Sequence, residues 1–290
     1  MSDAPPPTTA LAPIPAARED FMETAIDVAR EAGKLALSEL PLGRFPAGEI
    51  EEKGPRNLVS RVDRASEALI VRRLAEAYPD HAIVAEEGGG RAGAGGPYRW
   101  YVDPIDGTTN FLHGHPFFAV SVALYRGDVP EAGAVYLPYF DEMFFAARGR
   151  GAFLNATTLK LLASPVAGLE RAMVATGFAP SVGVDVNHHA FLRVARKAQA
   201  VRRCGAAAID LCFVAAGRYD AFWERGLAPW DVAAGALMVR EAGGIVTDLE
   251  GGEDWLHGGH LVSAGTPALA TTLRKLVGDA APPEGTVRVT

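Results

Sequence analysis

Apolar residues recur at helical spacing in several stretches of the chain, and this spacing predicts amphipathic helices. The expected helices run over about 19–40, 63–77, 187–199, 205–216, 230–242 and 267–277. Proline follows the first two stretches, at Pro41 and Pro79, and Gly243-Gly244 follows the stretch that begins at Trp230. Such residues are typical of helix ends, so they set the predicted boundaries.

Shorter apolar runs, rich in β-branched and aromatic residues, predict strands. They lie at about 82–85, 100–106, 117–125, 131–137, 142–148, 172–175, 219–223, 245–248 and 260–264. The runs between 117 and 148 alternate with turns, which indicates an antiparallel meander. Helices and strands come in mixed blocks rather than in strict alternation. We therefore expect an α/β (α+β) protein with stacked α and β layers and mixed, largely antiparallel sheets.

Composition narrows the classes of protein that the chain could represent. It has 290 residues, of which 49% are hydrophobic, enough for a sizeable core. The formal net charge is -7 and no basic stripe is present, so nucleic acid is not an expected partner. No apolar run approaches membrane-spanning length and no basic leader precedes Arg18, which predicts a cytoplasmic protein without a membrane partner. Cys204 and Cys212 are expected to be buried thiols.

The stretch from Trp100 to Phe111 carries the clearest candidate chemistry. An apolar run ends on Asp103, Pro104 follows, and Asp106 stands immediately before Gly107. Proline restricts the backbone around the two acids, and glycine permits a sharp turn after which N–H groups can face an anion. Carboxylates that hold Mg²⁺ beside amides that hold phosphate suit metal-assisted phosphate chemistry. The alternative is a strand that ends in an Asp-Gly turn with solvated acids.

Acids elsewhere in the chain support the metal interpretation. Glu86-Glu87 follows the short strand at 82–85, and Asp231 stands at a predicted helix start. Asp231 could cap that helix, or the helix N-terminus could face a phosphate. The segment Gly88–Gly93 formally matches G-x-G-x-x-G, but further glycines follow it instead of a helix. We therefore predict a mobile loop there rather than a dinucleotide site.

Several motifs follow one another over about residues 20–265 in an order typical of one family. They are Asn57-Leu58-Val59-Ser60-x-x-Asp63, Glu86-Glu87, Asp103-Pro104-Ile105-Asp106-Gly107-Thr108-Thr109-Asn110-Phe111, Gly205-Ala206-Ala207-Ala208-Ile209-Asp210-Leu211, Trp230-Asp231-Val232-Ala233-Ala234-Gly235 and Glu241-Ala242-Gly243-Gly244. With this set, the chain resembles the inositol monophosphatase family of magnesium-dependent phosphomonoesterases. The resemblance implies a layered αβαβα sandwich, a homodimer, and two or three Mg²⁺ ions in each active site.

The resemblance also implies roles for individual residues. The metal ligands would be Glu86, Asp103, the main-chain carbonyl of Ile105, Asp106 and Asp231. Catalytic roles would fall to Glu86, Thr108, Asp63 and Lys53, with Thr108 positioning the attacking water and Asp63 bonded to its hydroxyl. Phosphate would be held by the backbone amides of Gly107, Thr108 and Thr109. Gly205, Ala207, Glu224 and Asp231 would contact the substrate.

The expected activity is hydrolysis of a small phosphate monoester by a metal-activated water. Myo-inositol 1-phosphate is the favoured substrate, and histidinol phosphate, fructose 1,6-bisphosphate and a nucleotide 3'-phosphate are the rivals. Ala206 stands where the family usually has Ser or Thr, which leaves the identity of the alcohol open. A regulatory binding protein on the same fold is the alternative from another class.

The resemblance and the terminal composition together define the expected domain organisation. A single catalytic domain is expected over 18–280, with the metal-site half at about 18–155 and a C-terminal half at about 156–280. Residues 1–17 are rich in Pro, Ala and Thr and are expected to form a flexible tail, and 281–290 are expected to be frayed.

Overall fold

The structure, a computed structural model, describes residues 20–54, 57–179 and 184–278, without the side chains of residues 47, 57 and 184–186. The predicted tails at 1–17 and 281–290 lie outside the described residues. The helices are α1 (Phe21–Ser38), α2 (Arg61–Ala77), α3 (Thr108–Leu112), α4 (Val184–Ala195), α5 (Ala207–Ala215), α6 (Pro229–Glu241) and α7 (Pro267–Gly278). None of the described helices is long and apolar enough to cross a membrane.

The strands form two sheets and one small hairpin. They are β1 (Ile50–Gly54), β2 (Asn57–Ser60), β3 (Ala82–Ala85), β4 (Tyr98–Asp106), β5 (Ala119–Arg126), β6 (Val129–Leu137), β7 (Glu142–Ala147), β8 (Gly151–Leu154), β9 (Ala156–Lys160), β10 (Met173–Thr176), β11 (Ala200–Arg202), β12 (Ala221–Arg225), β13 (Ile245–Thr247) and β14 (His260–Ala264).

The larger sheet has the order β3-β4-β5-β6-β7-β8-β9 among the described residues. Only its β3–β4 pair is parallel, so the predicted antiparallel meander is confirmed and extended. The smaller sheet has the order β11-β10-β12-β14-β13, in which β10 pairs in parallel with both of its neighbours. β12, β14 and β13 pair antiparallel, and β1 pairs with β2 in a separate hairpin. The sheets are therefore mixed, as predicted.

Five layers pack against one another. α1 and α2 cover the outer face of the larger sheet through side chains such as Val28 and Ile70, which are 0% exposed. α5 and α6 lie between the two sheets and bury Leu211 and Leu237 there. α4 and α7 cover the far face of the smaller sheet, where Leu273 is buried. Full burial of one such aliphatic side chain stabilises the folded state by about 1.5–3 kcal/mol. The layers alternate helix, sheet, helix, sheet and helix, so the predicted αβαβα sandwich is confirmed.

Side-chain caps explain where the first two helices begin. Asp20 Oδ1 accepts a hydrogen bond from the Met22 N–H at 3.1 Å. Ser60 Oγ accepts one from the Val62 N–H at 3.1 Å, while Asp63 Oδ2 accepts one from the Ser60 N–H at 2.9 Å. Such caps stabilise a helix by about 1 kcal/mol. They start α2 at Arg61 rather than at the predicted position near 63.

Some short strands were not predicted, and for β9 the physical reason is its exposure. All residues of β9 are exposed, so the segment shows no alternation of apolar and polar positions. Gly151 opens β8, and Asn155, with a φ of 59°, joins β8 to β9. β11 is only three residues long. α6 also begins one residue earlier than predicted, because Pro229 suits the first helical position.

Candidate active site

A bulge at Pro104 shapes the acidic end of β4. Asp103 lies opposite Ser121 of β5 and Asp106 lies opposite Ala119, so β4 holds one extra residue between the two acids. Proline has no N–H to donate to the ladder, and its carbonyl accepts a hydrogen bond from Ser66 Oγ at 3.0 Å. Asp103 and Asp106 are 2% and 7% exposed. The bulge therefore buries both acids at one end of the strand.

The start of α5 faces the Asp106 carboxylate. Oδ2 of Asp106 accepts a hydrogen bond from the Ala208 N–H at 2.8 Å, and the N–H groups of Ala207 and Ile209 also favour its charged form. The partial positive charge at a helix N-terminus stabilises such an acid. Ala207, predicted as a substrate contact, thus directs its backbone N–H toward Asp106.

Gly107 follows Asp106 in the left-handed region, with a φ of 89°. A Cβ atom at this position would lie 2.8 Å from the carbonyl oxygen of Phe117, so only glycine fits. The same Cβ would lie 3.4 Å from the carbonyl oxygen of Gly205, another predicted site residue. Thr108 and Thr109 then begin α3, whose first turn has no side-chain cap. The chain segments predicted to hold phosphate and alcohol are therefore neighbours.

Asp231 reaches the site from the first turn of α6. Its Oδ2 accepts a hydrogen bond from the Ala228 N–H at 2.7 Å, so it caps the helix as the structural interpretation expected. Burial, and after it the charges of Asp106 and Glu86, raise the pKa of Asp231 well above its ordinary value. Asp231 therefore caps α6 and also lies close to the other acids.

Glu86 arrives from the end of β3, where its N–H donates to the Val102 carbonyl at 3.2 Å. Lys53 of β1 contacts both members of the acidic pair. Its Nζ lies 2.9 Å from Glu86 Oε1 and 2.7 Å from Glu87 Oε1. Burial raises the pKa of Glu87 to about 7, although the hydrogen bond from Lys53 opposes this. The predicted loop lysine therefore lies beside the predicted metal ligand.

The Thr108 hydroxyl lies between two oxygen atoms. Its Oγ1 is 3.1 Å from Asp63 Oδ1 and 3.1 Å from the carbonyl oxygen of Ile105. Asp63 is fully buried, and its Oδ2 accepts hydrogen bonds from the Ser60 N–H and from Ser60 Oγ. A hydroxyl that donates to Asp63 keeps its lone pairs for a water molecule. This arrangement suits the predicted positioning role of Thr108.

Glu224 of β12 lies near Asp231 and Asp106, whose charges act on it. It is 9% exposed, and burial raises its pKa to about 8. The charges of Asp231 and Asp106 act in the same direction, whereas Arg203 lowers the pKa. Glu224 is therefore a candidate hydrogen-bonding group for an alcohol close to Asp231.

The predicted acids form one electrostatic group. Burial, and then Glu86, Asp106 and Asp231, raise the pKa of Asp103 well above its ordinary value. Burial raises the pKa of Asp106 to about 7, with Glu86 adding to the effect. Mutual repulsion of buried carboxylates is relieved when a cation binds among them.

These oxygen ligands fit a hard divalent cation. Within the described residues, no three acidic, histidine or cysteine side chains already converge on a single cation position. Mg²⁺ usually takes one or two carboxylates together with waters and substrate phosphate, so it does not need such a ready-made cage. Glu86, Asp103, the Ile105 carbonyl, Asp106 and Asp231 could hold it.

The raised pKa values predict an unusual dependence of stability on pH. The folded-state pKa of Asp106, about 7, lies above the ordinary value of 3.8, and Asp103 and Asp231 shift in the same direction. The folded state then binds more protons than the unfolded state. The stability that these groups contribute is complete below about pH 4 and is lost as the pH rises toward about 7. Metal-free protein should therefore melt at a lower temperature at about pH 8 than at about pH 5.5.

Mg²⁺ should reverse this trend, because it binds the deprotonated carboxylates. Differential scanning fluorimetry with EDTA or with millimolar Mg²⁺ measures the effect. Mg²⁺ should raise the melting temperature more at the higher pH. An equal gain at both pH values would contradict the electrostatic description of the site.

The structure adds site-supporting residues that sequence reasoning missed. Glu67 accepts hydrogen bonds from two N–H groups of the loop after Glu86. Asn110 Nδ2 donates to the carbonyl oxygens of Phe117 and Cys204, at 2.7 and 2.9 Å, and so ties α3 to the segment before Gly205. Glu67 lies one helical turn after Asp63, so its position on the same face of α2 was the available signal.

Comparisons with known proteins agree over nearly the whole chain. The model of the inositol monophosphatase family matches residues 17–280. A protein of Neisseria meningitidis serogroup B, named putative Nus factor SuhB, is 44% identical over 257 residues, which cover 88% of this chain and 97% of the relative. The inositol-1-monophosphatase of Mesorhizobium japonicum is 42% identical over 268 residues, covering 90% and 97%.

A solved structure of the extragenic suppressor protein suhB from Bartonella henselae superposes with a TM-score of 0.82 at 38% identity. The match covers 89% of this chain and 98% of that one. The sequence and fold comparisons thus agree over most of the chain. On this basis the chain belongs to the inositol monophosphatase family.

Proposed function

We propose that the protein is a Mg²⁺-dependent phosphomonoesterase that acts on a small phosphorylated alcohol. The observation that carries this proposal is the grouping of Glu86, Asp103, Asp106 and Asp231 beside the Thr108 hydroxyl. Family membership supports it. Asp103 and Asp106 are buried, and a group of like-charged side chains around buried acids is costly to maintain, which is typical of a functional site.

The residues divide the work of in-line displacement at phosphorus. Bound Mg²⁺ would supply positive charge that activates water and neutralises the leaving group. Thr108 orients the attacking water, and the Thr108 hydroxyl itself donates a hydrogen bond to Asp63. Backbone amides at Gly107, Thr108 and Thr109 hold the phosphate oxygens. Charge neutralisation and alignment then carry the reaction without a phosphoenzyme.

We propose myo-inositol 1-phosphate as the preferred substrate. Glu224 supports a polyhydroxylated alcohol, because a buried carboxyl group can accept or donate hydrogen bonds to vicinal hydroxyls. Ala206 offers no hydroxyl of its own. Histidinol phosphate, fructose 1,6-bisphosphate and a nucleotide 3'-phosphate are the competing substrates.

Phosphate release from a panel of these esters tests the proposal. We expect activity that requires Mg²⁺ and the highest kcat/KM with myo-inositol 1-phosphate. Glu224→Gln should lower kcat/KM for that ester by about tenfold, because the amide keeps the size of the side chain but cannot reproduce both hydrogen bonds of the carboxyl group, and one such bond is worth about 0.5–1.5 kcal/mol. A hundredfold preference of the wild type for histidinol phosphate would overturn the inositol assignment.

A second candidate is a regulatory binding protein that keeps the fold. The name Nus factor on the Neisseria meningitidis relative favours it. The retained acid group argues for turnover instead. Absence of phosphate release from folded protein at millimolar Mg²⁺ would favour the binding role.

We also propose that the protein is a homodimer. The exposed aromatic side chains Tyr139 and Phe140, 56% and 43% exposed, support a surface that a second copy could cover. Light scattering should then give twice the monomer mass of 30.6 kDa. A monomer mass at micromolar concentration would contradict this proposal.

A further inference from the structure

Backbone hydrogen bonds hold the loop after β3 at both of its ends. The N–H and carbonyl of Ile83 exchange hydrogen bonds with those of Arg91, both at 2.9 Å. The Glu86 N–H remains paired with the ladder of β4. Between these two closures, the chain must turn at Gly88, which has a φ of 88°. The direction in which Glu86 projects therefore depends on how this turn is held.

One side chain of α2 holds the turn. Glu67 Oε2 accepts a hydrogen bond from the Glu87 N–H at 2.6 Å, and Glu67 Oε1 accepts one from the Gly89 N–H at 2.6 Å. Glu67 is 3% exposed, so its carboxylate is a buried acceptor rather than a solvated charge. Two hydrogen bonds to one carboxylate fix both the position and the orientation of the turn.

Gly89 is fitted to the same carboxylate. A Cβ atom at Gly89 would lie 2.6 Å from Glu67 Oε1, and the next nearest atoms also belong to Glu67. The position has no positive φ, so the nearby carboxylate is the feature that opposes a larger residue there. The contact therefore depends on both the carboxylate of Glu67 and the absence of a side chain at Gly89.

α2 organises the rest of the site from the same face. Asp63 binds the Thr108 hydroxyl, and Ser66 binds the Pro104 carbonyl between the two acids of β4. Glu67 extends this polar face to the loop that carries Glu86. One rigid helix thus contacts each acid-bearing segment of the larger sheet.

We propose that Glu67 is a positioning residue that holds the Glu86–Gly89 turn in the geometry in which Glu86 binds a divalent cation. This inference rests on the proposed function. Residues that orient a metal ligand typically change metal affinity by about 10- to 100-fold when they are replaced. Gln at this position keeps the size of the side chain but offers one acceptor oxygen where two N–H groups need one each.

Binding of Mn²⁺ to the full chain, measured by electron paramagnetic resonance, tests the inference without turnover. Glu67→Gln should weaken Mn²⁺ binding at least about tenfold. Glu76→Gln, at an exposed position of the same helix, should stay within about twofold. Hydrogen exchange of the Glu87 and Gly89 amides should accelerate in Glu67→Gln but not in Glu76→Gln.

Gly89→Ala disturbs the same contact from the loop side and gives an independent variant if Glu67→Gln does not fold. It should weaken Mn²⁺ binding by a similar factor, whereas Gly96→Ala, where the added Cβ meets only Asp80 O at 3.9 Å, should not. The double variant Glu67→Gln/Gly89→Ala should resemble the single variants, because both remove one interaction.

The outcomes separate the inference from the proposed function. Mn²⁺ affinities within about twofold of wild type in the folded single variants would overturn the positioning role, even if the wild type releases phosphate. Wild-type protein that binds Mn²⁺ but hydrolyses no ester of the panel would overturn the proposed function alone. A loss of affinity confined to Glu67→Gln and Gly89→Ala supports the positioning role.

Discussion

Asp106→Asn is expected to lower the rate of phosphate release by about 10²- to 10³-fold while the protein keeps its fold. The carboxylate is one of the buried acids whose negative charge attracts the cation, and an amide oxygen is a weaker ligand. Asn can still accept the hydrogen bond from the Ala208 N–H, so the contact with α5 survives. Steady-state release at saturating Mg²⁺ measures the rate, and circular dichroism reports the fold.

Metal-free Asp106→Asn should melt at the wild-type temperature or above it. Burial and the charge of Glu86 already raise the pKa of Asp106, so replacing this acid relieves repulsion in the folded state. Asp128→Asn is a matched control, because the Asp128 side chain is 85% exposed. It should change neither the rate of phosphate release nor the melting temperature. A near-normal rate in Asp106→Asn would remove Asp106 from the metal site.

Thr108→Ala is expected to lower kcat by about 10²-fold with little change in KM. The variant loses the hydroxyl that lies between Asp63 and the Ile105 carbonyl, so the attacking water loses its alignment. The backbone amide of residue 108 remains, and phosphate binding should therefore persist. Thr108→Ser keeps the hydroxyl and should retain most of the rate.

Thr109→Ala provides the neighbouring control for this prediction. Thr109 is exposed, and its predicted role uses only its backbone amide. Thr109→Ala should therefore have the kcat and the KM of the wild type. A Thr108→Ala variant with an unchanged kcat and a raised KM would instead assign Thr108 to substrate binding.

Local patterns were sufficient to predict the elements with buried faces. Helical spacing predicts the apolar face of α2, a short apolar run predicts the strand Ala82–Ala85, and β-rich runs that alternate with turns predict the meander. The sequence does not predict β9, because every one of its residues is exposed and the strand is held by pairing with β8 rather than by burial. Exposed edge strands lack the periodicity on which such predictions depend.

The acids were predictable because their local motifs are distinctive, whereas their supports were not. Asp103 and Asp106 stand together around Pro104, but the N–H group that binds Asp106 belongs to Ala208, 102 positions away. Glu67 shares one face of α2 with Asp63, but this spacing does not show that its carboxylate contacts the turn after Glu86. Contacts of this kind arise from tertiary packing, which no local pattern contains.

Crystals grown with Mn²⁺ and inorganic phosphate, with the ions located by anomalous scattering, give the most direct test of the site. Our prediction is at least one Mn²⁺ peak bounded by carboxylate oxygens of Asp103, Asp106 and Asp231, with phosphate beside the Gly107–Thr109 amides. Mn²⁺ bound elsewhere, with those carboxylates free of metal, would contradict it.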